Sequence, residues 1–183
     1  MTRASGMDYR RLTTLAVLVA LSVVMLLFFR IHPFPAVPFL VYEPADVALL
    51  VAGFAMGPRA GLLATALVCV IQAPLHPEGG WFGGVMHFIS SGALVGVASV
   101  IYARNKTRCG AYLALAAGAV AMVAVMIPAN LVLTPAFYGM PVSAVTSVMG
   151  WLIAFNVLKA GANALITAIV YKPISRLIHR TTC

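Results

Sequence analysis

Residues 151–171 read WLIAFNVLKAGANALITAIVY, an apolar run with one charged side chain, Lys159, near its middle. About 20 apolar residues are enough for a helix to cross a bilayer, so this run predicts a membrane-spanning helix. An ammonium group at membrane depth is costly unless it is paired or solvated. We therefore expect Lys159 to face a cavity, a ligand or a polar partner.

Two asparagines accompany this lysine. Asn156 lies three residues before Lys159 and Asn163 four residues after it, so the three polar groups share one narrow stripe of a helix. The stripe predicts the wall of a polar pocket inside a membrane protein. Two alternatives stay open: Asn163 bonds only a neighbouring helix, or Lys159 extends its ammonium group to the membrane interface.

The composition agrees with a membrane protein. Of the 183 residues, 62% are hydrophobic and 9% charged, whereas soluble domains carry roughly 25% charged residues. The net charge of +8 comes from basic residues that flank apolar runs, as membrane orientation requires, so we expect no nucleic-acid partner. The three cysteines show no metal-ligand spacing, and the first apolar run lacks a cleavage site for a signal peptide.

The apolar runs predict six transmembrane helices and an all-α, polytopic fold. The two turn-rich stretches, 31–44 and 134–141, are too apolar for ordinary water-exposed loops, and the first is expected to fold back over the bundle. The second and third spans are short. The predicted spans are residues 12–29, 46–56, 60–72, 83–102, 111–133 and 151–171, the last with a lead-in from Val142.

The basic residues orient this bundle. With six crossings, ten of the twelve Lys and Arg residues fall on one side; Arg30 falls on the other, and Lys159 lies within the membrane. The positive-inside rule then makes both termini cytoplasmic. We expect residues 1–183 to form a single membrane domain, with short basic cytoplasmic tails at about 1–11 and 172–183.

Unusual polar groups concentrate in the outer half of the predicted bundle. They suit a flat, polar-edged organic molecule with hydroxyl groups better than a bare ion, because ligand pockets are mostly apolar with a few placed polar groups. Asp46 stands at the start of the second span, and we expect it to cap that helix. The polar candidates are Tyr42, Glu43, His87, Asn130, Thr134, Asn156 and Lys159.

Several function classes lack their motifs. The sequence has no P-loop and no His-Glu-x-x-His metal motif, and no nucleophile-elbow pattern surrounds His87, Ser90 and Ser91. None of the four acidic residues lies clearly within a span, whereas ion-coupled carriers usually keep a carboxylate there. Uptake against a gradient would therefore need a partner that supplies energy. A small intramembrane enzyme remains a remote alternative.

Small residues also recur at helical spacing on the first span. Ala16 and Ala20 are four residues apart, and such pairs let another helix approach closely. The same spacing occurs at other positions, so it is a weak signal by itself. It nonetheless suits docking to a partner membrane protein.

Several segments together resemble the substrate-binding S components of energy-coupling-factor (ECF) transporters, most closely those specific for riboflavin. The resemblance covers nearly the whole chain, and its most specific motif is the Asn-x-x-Lys element at Asn156 and Lys159. The chain differs from those relatives at Val41, Glu43, Ala45 and His87. The matching segments are PFLVYEPAD (38–46), GPRAG (57–61), FISSG (88–92), TP (134–135), YG (138–139) and FNVLKA (155–160).

This resemblance implies a six-helix subunit of the bacterial plasma membrane that binds riboflavin from outside. It would act with a transmembrane coupling subunit and two ATPases, and topple in the membrane to release the vitamin inside. It would need no metal or cofactor and would catalyse no reaction. Ala16 and Ala20 would dock to the coupling subunit. Another vitamin or heterocycle is the alternative substrate. The expected substrate-binding residues are Leu40, Tyr42, Glu43, Gly84, His87, Asn130, Thr134, Asn156 and Lys159.

Overall fold

The computed structural model describes residues 9–75 and 79–180, with side chains described as far as Tyr171. Parts of the predicted basic tails, residues 1–8 and 181–183, lie outside the described residues. Within the described residues the protein is all-helical and has six helices, as predicted. The helices are α1 (Tyr9–Phe28), α2 (Asp46–Met56), α3 (Pro58–Gln72), α4 (Gly80–Arg104), α5 (Arg108–Tyr138) and α6 (Val142–Arg180).

The short helix α2 occupies the centre of the bundle. Its first nine residues, from Asp46 to Phe54, are all buried, and it contacts α1, α3, α4 and α6. Leu49 and Leu50 are completely inaccessible and form part of the main apolar core. An apolar sequence that shows no polar face is what a helix surrounded by other helices requires.

The helices differ in their ability to cross a membrane. Helices α1, α4, α5 and α6 are long and apolar enough to do so. Helices α2 and α3 have 11 and 15 residues, or about 17 and 23 Å at 1.5 Å per residue, against a hydrocarbon core of about 30 Å. Gly57, at a φ of 95°, joins them, and Pro58 starts α3.

The stretch after α1 folds back over the bundle, as predicted. Ile31 and Tyr42 exchange two backbone hydrogen bonds of 2.9 and 2.8 Å, which close the stretch into a loop. Val37 and Leu40 are buried in this loop and pack in one cluster with Leu152 of α6. We call residues 31–42 the outer loop. Its apolar residues therefore cover the outer ends of other helices.

The turn-rich loop predicted at residues 134–141 is confined to residues 139–141. Helix α5 continues through Pro135 to Tyr138 and ends only at Gly139, whose φ of 63° suits glycine. A proline removes one helical hydrogen bond, and a long helix packed along its length tolerates that loss. Likewise the lead-in from Val142 is already the start of α6.

Candidate functional site

A cavity of about 620 Å³ lies at the end of the bundle that carries the outer loop, and we call this the outer end after the predicted orientation. It lies between the outer loop, the start of α4, the end of α5 and the first half of α6. Ligand pockets commonly measure about 300–1,000 Å³, so the space suits a small organic molecule. Among the nine residues predicted to bind substrate, those that line the cavity are Leu40, Glu43, His87, Asn130, Thr134, Asn156 and Lys159.

The other two predicted residues, Tyr42 and Gly84, lie behind the lining. Gly84 packs against α3, where an added Cβ atom would lie 3.1 Å from the carbonyl oxygen of Cys69. The Tyr42 hydroxyl donates a hydrogen bond of 3.1 Å to Oδ1 of Asn163. Burial, followed by the nearby charge of Asp46, raises the pKa of the Tyr42 phenol, so the hydroxyl keeps its proton.

Two asparagines present their amide groups to the cavity from α5 and α6. Asn130 Nδ2 donates 2.8 Å to the Met126 carbonyl oxygen, and Asn156 Nδ2 donates 2.7 Å to the Leu152 carbonyl oxygen. Each bond fixes the side chain against its own helix. An amide group has two N–H donors and one carbonyl acceptor, so each asparagine retains hydrogen-bonding capacity toward the cavity.

Lys159 lines the cavity and is buried, with 7% of its surface exposed. Its Nζ lies 4.0 Å from Oδ2 of Asp46. The alternative in which Lys159 reaches the membrane interface is therefore wrong, because the ammonium group remains inside the bundle beside a carboxylate. The expectation was a cavity, a ligand or a polar partner, and the structure shows both a cavity and a polar partner.

The expectation that Asp46 caps α2 is wrong. Ala45 occupies the N-cap position, and no side chain caps this helix end. The Asp46 carboxylate is completely buried and accepts hydrogen bonds from Ser91 Oγ at 2.6 Å and Asn163 Nδ2 at 2.8 Å. Sequence reasoning missed it as a buried carboxylate, although a buried lysine in a chain with four acidic residues needed a counter-charge.

His87 connects the cavity to this carboxylate. Its Nε2 lies 3.2 Å from Oδ1 of Asp46, and its Nδ1 contacts Oε1 of Gln72. Ser91 Oγ bonds Asp46, and Ser90 Oγ donates to the His87 carbonyl oxygen. No serine–histidine side-chain hydrogen bond exists among the described residues, so this group lacks the contact that activates a serine nucleophile.

Asn163 belongs to the buried network rather than to the cavity wall. It is completely inaccessible, and it bonds both the Tyr42 hydroxyl and the Asp46 carboxylate. Of the three groups on the predicted stripe, Asn156 and Lys159 line the cavity, whereas Asn163 joins α6 to α2 and to the end of the outer loop.

The mouth of the cavity has a second ion pair that the sequence did not reveal. Nε of Arg30 lies 3.5 Å from Oε1 of Glu43, and both residues line the cavity. Phe82 of α4 stacks on Phe137 of α5, with ring centroids 4.5 Å apart. In the described part of the chain, this side of the cavity therefore has the Arg30–Glu43 ion pair next to an aromatic cluster.

Two further features concern metal binding and docking to a partner. In the described part of the chain, no group of three or more His, Cys, Asp or Glu residues could hold a metal ion. Ala16 and Ala20 are exposed on α1, so a partner helix could reach both.

Comparisons with known proteins give a family and a fold. Residues 10–171 match the family model described as "ECF transporter, substrate-specific component". Among solved structures, the chain is similar to the protein described under the words "Structure and mechanism of the S component of a bacterial ECF transporter". The TM-score is 0.79 and the sequence identity is 24%, and the likeness covers 94% of this chain and 99% of that chain. At this identity the likeness concerns the fold alone. No curated protein matches the chain.

Proposed function

The chain belongs to the family of substrate-specific components of ECF transporters, and we propose that its substrate is riboflavin. Members of this family are membrane-embedded transport subunits and not enzymes, and they work with an ECF module of a coupling subunit and ATPases.

The observation that carries the proposal is the distribution of groups around the cavity. Asn130, Asn156 and Lys159 bring amide and ammonium groups to one space from two helices. Apolar side chains, including Leu40 of the outer loop and Leu152 of α6, complete the lining. Riboflavin has a flat ring with polar edges and a hydroxylated tail, which needs this combination of apolar wall and placed donors and acceptors.

We assign the roles by position. The amide groups of Asn130 and Asn156 and the ammonium group of Lys159 hydrogen-bond the polar edge of the ring or the tail hydroxyls. Leu40 and the other apolar residues of the outer loop cover the ring. His87, Glu43 and Thr134 add polar contacts, while Tyr42 and Gly84 support the site from behind its lining.

Transport would follow from binding at the outer face of a bacterial cell membrane. The coupling subunit would dock on α1 at Ala16 and Ala20, which are exposed. ATP hydrolysis by the module would then supply the energy.

The test is riboflavin binding to purified protein in detergent, measured by quenching of flavin fluorescence after co-purified flavin has been removed. We expect saturable quenching in the submicromolar range. Folded protein that quenches no riboflavin fluorescence but binds another vitamin in the same buffer would contradict riboflavin as the substrate while leaving the family unchanged.

A further inference from the structure

We propose that Asp46 sets the charge selectivity of the cavity, so that the site accepts an uncharged ligand and discriminates against its phosphorylated form. The inference rests on the proposed function, because it names which flavin the site prefers. Asp46 does not line the cavity. It acts through Lys159 and His87, and is therefore a positioning residue.

The carboxylate of Asp46 joins three helices. Oδ1 accepts from Ser91 Oγ at 2.6 Å and lies 3.2 Å from His87 Nε2, both on α4. Oδ2 accepts from Asn163 Nδ2 at 2.8 Å and lies 4.0 Å from Lys159 Nζ, both on α6. A completely buried charge with this many partners is held in one position, and it holds the side chains that bond it.

The charged groups around the cavity balance in pairs. Lys159 faces Asp46 at the inner end, and Arg30 faces Glu43 at the mouth. His87 is the one histidine in the lining. One of its ring nitrogens faces Asp46 and the other faces Gln72. Tyr138, on the opposite helix α5, is the one tyrosine in the lining. The formal charges of these two ion pairs therefore cancel among the described residues of the cavity.

A balanced cavity disfavours an anionic ligand. Moving a phosphate from water into a buried site costs free energy unless a cation compensates it. Here the Lys159 ammonium group is already compensated by Asp46. An uncharged ligand can still accept hydrogen bonds from the ammonium group without that cost. Riboflavin should therefore bind more tightly than riboflavin 5′-phosphate.

The experiment compares the two flavins on the full-length protein at one fixed pH. The quantity measured is the ratio of the Kd for riboflavin 5′-phosphate to the Kd for riboflavin. We expect Asp46→Asn to lower this ratio about tenfold, because the amide keeps the side-chain size while leaving the Lys159 charge unbalanced. Any steric cost of the phosphate is present in both proteins and cancels in the comparison.

Ser91→Ala is the matched control. It removes one hydrogen bond to the same carboxylate and leaves every charge in place, so the ratio should not change even if the protein is less stable. Lys159→Gln gives a second, independent result. It leaves the Asp46 charge unbalanced and should raise the ratio, and it decides the question if Asp46→Asn does not fold.

The possible failures are distinguishable. If wild-type protein binds riboflavin but the ratio is unchanged in Asp46→Asn, the inference is overturned and riboflavin remains the substrate. A ratio that falls equally in Ser91→Ala overturns it too, because geometry rather than charge would be responsible. If folded wild-type protein binds neither flavin, the proposed function fails and the inference fails with it.

Discussion

Lys159 places a buried ammonium group on the wall of the cavity. On the proposed function, Lys159→Ala removes a charged donor to the ligand, and binding should weaken by about 1–3 kcal/mol, or roughly 5- to 150-fold in Kd. Flavin-fluorescence quenching measures the change directly. The same substitution at Lys106, which is exposed in the connection between α4 and α5, should leave Kd unchanged.

Lys159→Ala also deprives Asp46 of its counter-charge, so its folding must be checked by size-exclusion chromatography. Asn156→Ala offers a second variant, because Asn156 lines the same cavity and carries no charge. Unchanged riboflavin affinity in a folded Lys159→Ala protein would contradict the role proposed for this residue.

Sequence reasoning at the residue scale found the cavity wall but not what lies behind it. Helical spacing predicted that Asn156 and Lys159 share a face, because both belong to one helix. Asp46 bonds Asn163 across 117 positions of sequence, and helical periodicity carries no information about such a contact. Its place at the start of a helix favoured a capping role, and only the packing of α2 among other helices turned its side chain inward.

At the scale of helices, α2 and α3 approach each other so closely that only glycine fits between them. A Cβ atom on Gly61 would lie 2.8 Å from the Cα atom of Gly53 and 2.8 Å from Cγ1 of Val95. Gly61→Ala should therefore force the helices apart and destabilise the protein by about 1–3 kcal/mol. The measurement is the midpoint of thermal unfolding in detergent.

Gly161→Ala is the matched control for this prediction. Gly161 lies on α6, and a Cβ atom there would meet no atom within 4 Å. Because alanine is the better helix former, its unfolding midpoint should stay the same or rise. Equal losses at the two positions would mean that the cost comes from replacing glycine in general and not from the α2–α3 contact.

The exposed small residues of α1 belong to the same scale. On the proposed docking role, Ala16→Leu and Ala20→Leu should impair riboflavin uptake by cells that contain the ECF module, because bulky side chains keep the coupling subunit at a distance. Riboflavin affinity of the purified variants should not change. The matched control is Ala116→Leu, at an exposed position of α5. Normal uptake by both α1 variants would rule out this docking face.

Sequence reasoning located all six helices but misplaced some of their ends. The span at 46–56 was predicted with both its boundaries correct, because prolines and Gly57 bracket it. The end of α5 was placed at 133, since Pro135 is typical of a helix end, yet the helix continues to Tyr138. Whether a proline ends a helix depends on the packing around it, which the local sequence does not contain.

At the scale of the whole molecule, the two ends of the bundle differ in chemistry. The outer end holds the cavity with its buried Lys159, and Arg30 is the one Lys or Arg residue in the described connections at this end. At the other end, Phe54 of α2 stacks on Tyr102 of α4 with centroids 4.4 Å apart, and the hydroxyl groups of Tyr102 and Tyr171 lie 2.9 Å apart. Among the described residues, Arg59, Arg104, Lys106 and Arg108 lie at or between the helix ends next to this aromatic group. The substrate could not be deduced at this scale, because the helix count and charge asymmetry are the same whatever the cavity binds.

This asymmetry predicts which end faces the cytoplasm, and two cysteine positions can test it. Cys109 is exposed next to the basic connection between α4 and α5, and Ser143 is exposed at the outer start of α6. In a background of Cys69→Ala and Cys183→Ala, a membrane-impermeant maleimide should not label Cys109 in intact cells and should label it after permeabilisation. With Cys109→Ala and Ser143→Cys, labelling should occur in intact cells, because the positive-inside rule places this end outside. Labelling of Cys109 in intact cells, with Ser143→Cys protected, would reverse the orientation and put the cavity on the cytoplasmic side, where it could not capture a vitamin from the medium.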